Sequence, residues 1–377
     1  MPKTLVIDDD PDFEALCRQP GAAGNEFVFA SDDESARELL ANAADLDIAL
    51  VSVDSDKLGG LDLFKQLSSV RVRIPRIALL SQRDLQTARK AMNDGAADFL
   101  VKPVERADLL TTIERVFKSC EERRQAWRNE AKLSAIQREI TIAEEIQRRI
   151  LPSEFEDGLG YSLFARLASA KSMSGDFYDI FDLPEGRLGL VVADVSGKGI
   201  PAAFFMAVAR TLLRATALTG TSPADCLTQA NAVLCRHDIP NMFVSAFYGI
   251  FDPINWTLIH ASAGHQPPLH LDANGTVHEL EAVDGLVLGV SEELSYSEAV
   301  LHLKPGEGLV VYTDGLSEAF NLKRQQFGED RALAVLSGLD RQTSALEIVD
   351  ALFVAQEAFM DGAERGDDTT VLALRRI

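Results

Sequence analysis

Four acidic motifs in the last two-thirds of the chain carry most of its chemical information: Ser174-Gly175-Asp176-Phe177-Tyr178-Asp179, Ala193-Asp194-Val195-Ser196-Gly197-Lys198-Gly199, Thr313-Asp314-Gly315 and Gly366-Asp367-Asp368-Thr369-Thr370. Each sets a carboxylate beside a Gly or a short polar turn. Three of them adjoin apolar β-type runs, such as 188–193 and 308–312. Carboxylates held at strand ends, far apart in sequence, make an all-oxygen ligand set. Such a set suits Mg²⁺ or Mn²⁺, and two ions of this kind can activate one water for in-line attack on a phosphate. The chemistry within reach of these residues is metal-assisted hydrolysis of a phosphate ester.

The rest of the chain must position those carboxylates. Its 377 residues predict two or three domains, and 46% hydrophobic with 25% charged residues is an ordinary globular composition. A formal net charge of -21 argues against nucleic acid and anionic membrane as partners, since neither polyanion gains from approaching such a surface. Cys17, Cys120, Cys226 and Cys235 form no CxxC pair and no disulfide framework. Asp8-Asp9-Asp10 follows a short apolar strand at the start, which is not a signal-peptide layout, and no uninterrupted apolar stretch approaches bilayer length. A cytoplasmic protein is expected.

Residues 1–118 alternate short aliphatic runs (4–7, 26–30, 48–51, 76–80 and 98–101) with amphipathic helical patterns. Near-continuous apolar strands of this kind indicate an α/β doubly wound, flavodoxin-like domain with a parallel sheet, whose functional residues gather at the carboxyl ends of the strands. Asp8 and Asp9 end the first strand, Ser81 the fourth, and Lys102-Pro103 the fifth. On these residues the segment resembles the receiver domain of two-component response regulators: Asp8 and Asp9 match its acidic metal pair, Ser81 its hydroxyl switch residue, and Lys102 its lysine. The resemblance puts the phospho-accepting Asp eight residues before Gly60, where this chain has Ser52. A pseudo-receiver that cannot use aspartyl phosphate is the expectation, because a serine hydroxyl is a weak nucleophile near its free pKa. Asp54 is the fallback acceptor, and a regulatory protein is a further partner to expect at this domain.

From Ser119 to Leu151 the chain is charge-rich, lacks Gly and Pro, and stops at Pro152. One helix is predicted, making 119–152 a linker. Leu133, Ile136, Ile140, Ala143, Gln147 and Ile150 recur at spacings of three and four. A seam this narrow suits a helical coiled-coil homodimer, with Gln147 as a polar seam position; a helix packed on its own domain is the alternative.

Beyond Pro152, antiparallel-looking strands (243–250 and 256–261) mix with helical patterns at 201–218 and 345–359. Residues 153–377 therefore read as α+β, stacked antiparallel sheets flanked by helices. The four acidic motifs, with 262–268 and Glu145-Ile146-Gln147-Arg148-Arg149-Ile150-Leu151-Pro152, resemble the PPM (protein phosphatase 2C-like) family, in particular its bacterial RsbU and SpoIIE type. That resemblance implies a metal-dependent serine/threonine phosphatase with two Mn²⁺ or Mg²⁺ ions. Asp194 would bridge the ions, the carbonyl of Val195 would complete one coordination sphere, Asp314 and Asp367 would hold the first ion, and Asp176 would act on the second, directly or through water. Asp179 and Asp368 would be outer groups that orient ligands or water, unless they are surface or capping residues, and His265 would fix a loop near the site. His260, His265 and His270 recur every five residues but lack the companions of a compact zinc site. Lys198 could meet a phosphate or simply be solvated. The resemblance further implies a phosphoprotein substrate, an anti-sigma-factor antagonist of the STAS type. A non-enzymatic adaptor built on the same two folds is the rival reading.

Overall fold

The computed structural model describes residues 2–19, 25–41, 45–55, 58–66, 74–81, 84–155, 157–236 and 240–377. The chain divides into two compact units, residues 1–136 and 137–377.

The first unit alternates strand and helix: β1 (Lys3–Ile7), α1 (Pro11–Arg18), β2 (Glu26–Ala30), α2 (Asp33–Ala41), β3 (Ile48–Ser52), α3 (Gly60–Gln66), β4 (Arg76–Leu80), α4 (Leu85–Asn93), β5 (Asp98–Val101) and the start of α5 (Arg106–Ile150). The strands pair in the order β2-β1-β3-β4-β5, all in parallel, as the apolar runs predict. Both faces are covered, which is why β3 and β4 are buried at every residue. Leu5, Ile7, Val51 and Leu80 join one core with Ala36, Phe64 and Ala88 of the helices. Val6, Leu50 and Leu79 join the other with Phe13 of α1 and Leu109 and Ile113 of α5. Asp10 and Asp84 cap α1 and α4 by accepting from main-chain N–H groups of the first turn.

Helix α5 runs unbroken for 45 residues from Arg106, whereas the sequence pattern placed its start at Ser119. Nothing between the last helix of the first unit and Pro152 can stop it, since the span contains neither Gly nor Pro. Of the proposed seam, Leu133 and Ile136 are 68% and 53% exposed, while Ile140, Ala143 and Ile150 are half-buried. Gln147 is not a seam residue: it is buried, with its amide bonded inside the second unit.

The second unit comprises β6 (Tyr161–Ala168), β7 (Phe177–Leu183), β8 (Arg187–Val195), α6 (Ile200–Ala217), α7 (Pro223–Arg236), β9 (Val244–Asp252), β10 (Thr257–Ala263), β11 (Leu269–Leu271), β12 (Val277–Glu279), β13 (Glu298–His302), β14 (Gly308–Tyr312), α8 (Asp314–Ser317), α9 (Glu329–Ser337), α10 (Ala345–Met360) and β15 (Thr369–Arg376). Two five-stranded antiparallel sheets form, β13-β10-β9-β8-β7 and β12-β11-β14-β15-β6. Leu190 and Val192 of β8, Phe247 of β9, Val311 of β14 and Leu372 of β15 share one core. The alternate residues Val191, Ala193 and Val195 face Phe205, Met206 and Leu227 of α6 and α7. Val371 and Ala373 likewise face Ile348 and Leu352 of α10. Strands covered on both sides must be apolar at every position, which is the signal the sequence carried.

Helix α6 is long and apolar enough, by length and composition, to cross a membrane. Its Ala202, Phe205, Met206, Ala209 and Leu213 are instead buried in the core against the sheet.

Candidate active site

Each sheet contributes acidic residues at its strand ends. Asp176 directly precedes β7 and Asp194 is the penultimate residue of β8, on neighbouring strands paired through Phe177 and Ala193. Asp314 opens α8 one residue after β14, and Asp367 and Asp368 directly precede β15, the partner of β14. The two turns of the second sheet cross so closely that a Cβ on Gly315 would stand 1.8 Å from the Asp368 carbonyl oxygen, so only glycine fits.

Asp176 is 2% exposed, and one of its carboxylate oxygens accepts from Thr313 Oγ1 at 2.6 Å and Thr370 Oγ1 at 2.8 Å. Burial first and the neighbouring Asp194 charge second hold it well above the usual carboxylate range. Asp194 is pushed up to about 7, again by burial and then by Asp314. Asp314 is raised by burial and by Asp367. Carboxyls crowded so that they resist ionising together would be relieved by cations among them. The donors are all oxygen, which fits Mn²⁺ or Mg²⁺. Among the described residues, however, no three acidic, His or Cys side chains already stand close enough to hold an ion. Asp176 is turned onto two threonines, and Asp367 accepts from Lys198 Nζ at 2.7 Å. Lys198 also donates to the Gly366 carbonyl at 2.6 Å, so it is neither free nor simply solvated.

Asp368 does act as an orienting group. Its two oxygens accept from the N–H of Ala170 at 2.7 Å and of Gly175 at 2.8 Å, the latter adjoining Asp176. Asp179 does not. It is 1% exposed and accepts from Arg210 at 3.0 Å and Arg214 at 3.2 Å, clamping α6 onto β7. The alternation of β7 turns Asp179 toward that helix, which decides its role. His265 fixes a neighbour of the site: its Nδ1 lies 3.0 Å from Ser245 Oγ, and Ser245 faces Asp194 across β8 and β9. Burial pushes His265 down to about 4, so the ring is neutral. His260 stacks on Phe247, and His270 pairs with His278 and Glu307; each histidine of the five-residue recurrence thus has separate partners. A cleft of about 410 Å³ lies apart from the carboxylates, lined by Gln147, Leu151, Ser172 and Tyr178.

In the first unit, Lys102 Nζ lies 2.7 Å from Asp8 and 3.1 Å from Asp10, and Ser55 Oγ donates to Asp9 at 3.2 Å. Ser52 is buried within β3 at 2% exposure. Asp54, two residues on, is exposed and accepts from Ser81 through the main-chain N–H at 2.5 Å and the hydroxyl at 3.0 Å. The carboxylate brought to the switch hydroxyl is therefore Asp54, the fallback position, while Ser52 lies inside the strand.

A model of the Stage II sporulation protein E (SpoIIE) family matches residues 184–377, and one of the response regulator receiver domain matches 4–114. Phosphoserine phosphatase RsbU of Bacillus subtilis is 31% identical over 242 residues, 64% of this chain and 71% of RsbU. Protein IcfG of Synechocystis sp. is 30% identical over 268 residues, 63% of this chain but 41% of IcfG, so the chain spans less than half of that relative. The SiaA-PP2C domain of Pseudomonas aeruginosa has the same fold, with a TM-score of 0.56 at 24% identity over 65% of this chain and 98% of that domain. With these matches falling on the two units whose geometry is described above, the chain belongs to the SpoIIE family, a PP2C-type phosphatase domain preceded by a response-regulator receiver domain.

Proposed function

We propose that the chain is a metal-dependent serine/threonine protein phosphatase whose output its receiver domain regulates, and that its substrate is a phosphorylated anti-sigma-factor antagonist of the STAS fold in a bacterial partner-switching pathway. The observation that carries the reading is the acidic centre: Asp176, Asp194, Asp314 and Asp367 drawn from the ends of two sheets, three of them with raised pKa. The name of RsbU, a phosphoserine phosphatase, supports the substrate class. These four carboxylates and the Val195 carbonyl would hold two Mn²⁺ or Mg²⁺ ions. Bound there, the ions supply a water that ionises near neutral pH and positive charge to offset the phosphate. The protein's own part is positional. Thr313 and Thr370 fix one oxygen of Asp176, Asp368 holds the main chain beside it, and the Ser245–His265 pair braces the strand facing Asp194. Burial and the neighbouring charges hold Asp176 and Asp194 above the usual carboxylate range, so a cation entering the centre would favour their ionised forms and displace protons. Lys198 must likewise yield an oxygen of Asp367. The protein is proposed to act in the cytoplasm as a homodimer through the exposed Leu133 and Ile136.

Full-length protein in Mn²⁺ should hydrolyse both p-nitrophenyl phosphate and a phosphoserine STAS protein, stop in EDTA, and recover on adding Mn²⁺. Folded protein that hydrolyses neither substrate in Mn²⁺ would overturn the reading in favour of a non-enzymatic adaptor.

A further inference from the structure

Gln147 stands three residues before the end of α5, between exposed neighbours, yet it is only 7% exposed. A buried amide needs a partner at each end, and Gln147 finds both on one residue. Its Nε2 donates to the Ser174 carbonyl at 2.7 Å, and the Ser174 N–H donates to its Oε1 at 3.0 Å. The side chain thus reads Ser174 as an adjacent β-strand would, with donor and acceptor both matched. Ser174 lies two residues before Asp176, and the stretch between is tied down at further points. Gly175 N–H donates to Asp368, and Ser174 Oγ donates to the Asp176 carbonyl at 3.3 Å. A Cβ on Gly175 would lie 3.0 Å from the carbonyl oxygen of Val195, so this stretch runs against the end of the strand that carries Asp194.

We infer that Gln147 is a positioning residue: through Ser174, the end of α5 sets Asp176 against Asp194, so that the hold on metal depends on how that helix is seated. The inference rests on the phosphatase reading only for what the centre does, since metal binding can be measured without turnover. It also gives α5 a route to the site. Any turn or tilt of its last two turns pulls on the main chain beside a buried carboxylate through two directional bonds.

The test compares Gln147→Met, which keeps the size and removes both bonds, with Gln147→Glu, which keeps an acceptor for the Ser174 N–H but turns a carboxylate oxygen on its carbonyl. Mn²⁺ affinity, read from the free-ion EPR signal of full-length protein, should fall by about tenfold in both, as for other groups that orient metal ligands. Main-chain hydrogen exchange over residues 172–177 should quicken in the metal-free proteins, while KM for p-nitrophenyl phosphate at saturating Mn²⁺ stays unchanged. Leu151→Ala is the control, because it loosens the packing of the same chain segment without touching Ser174. An equal loss of affinity in the control would reduce Gln147 to general support and overturn the inference, as would Gln147 variants that match wild type in affinity and exchange. Wild type that binds Mn²⁺ but hydrolyses nothing would instead refute the phosphatase reading, with the affinity comparison still deciding the role of Gln147.

Discussion

Replacing Asp194 by Asn should stabilise the metal-free protein in alkaline solution and leave it unchanged in acid. Burial and the Asp314 charge raise Asp194 from 3.8 to about 7, so the folded state binds this proton more tightly than the unfolded chain does. Below the unfolded value the carboxyl is protonated in both states and costs nothing. As pH rises from about 4 to 7 the folded state loses stability that the unfolded chain does not, and above 7 the penalty is complete. About three pH units at about 1.4 kcal/mol each set a ceiling of about 4 kcal/mol. Asp176 and Asp314 remain beside the substituted group and the new amide must itself be desolvated, so about half of that, roughly 2 kcal/mol, should return. In a unit of this size that is about 4–8 °C in melting temperature. Scanning calorimetry in EDTA, at about pH 4.5, 6 and 8 on both proteins, reads the difference directly. A gain of the same size at every pH, or a variant less stable than wild type at the highest pH, would refute the account of the centre as mutually repelling carboxylates. Adding Mn²⁺ should reverse the order, because only wild type then gains binding energy.

Beryllium fluoride should alter the phosphatase rate or the oligomeric state of wild type and of Ser52→Ala but not of Asp54→Asn, because Asp54 is the carboxylate beside Ser81; an unaltered response in Asp54→Asn would return the domain to the pseudo-receiver reading. Asp179→Ala should cost about 3–5 kcal/mol, since it strands Arg210 in the interior, and a loss of stability under 1 kcal/mol by urea unfolding would show that the clamp on α6 is not structural. If Leu133 and Ile136 form a dimer seam, Leu133→Asp with Ile136→Asp should give monomers by light scattering that keep basal hydrolysis; wild type that is already monomeric at micromolar concentration would remove the coiled coil.

The carboxylates of the acidic centre were legible because each sits at the end of an apolar run, and a strand covered on both faces has to announce itself in composition. What could not be read was the choice of partner across the fold. Thr313 and Thr370 lie 137 and 194 residues from Asp176, and nothing in the motifs distinguishes a hydroxyl aimed at a ligand from one at an ordinary strand end. Asp179 sits in the same motif as Asp176, yet the strand's alternation hands it to Arg210 and Arg214 on α6. Gln147 fits a three-and-four spacing equally well whether the surface it meets is a second helix or Ser174; periodicity gives the face and never the occupant. That Asp54 is the carboxylate beside Ser81 was hidden for a related reason, because an offset counted along a loop assumes a loop length that folding is free to change.

The acidic centre draws its carboxylates from both sheets, Asp176 and Asp194 from one and Asp314 and Asp367 from the other. A cation seated there is therefore also a fastener between the two halves of the sandwich. A set of four carboxylates shared between the sheets would hold the ion only while the two layers keep their register. Metal and fold would then hold one another: at a hundred times its dissociation constant the ion would add about 2.7 kcal/mol to the cohesion of the domain, and removing it would withdraw that contribution from the catalytic end of the sandwich.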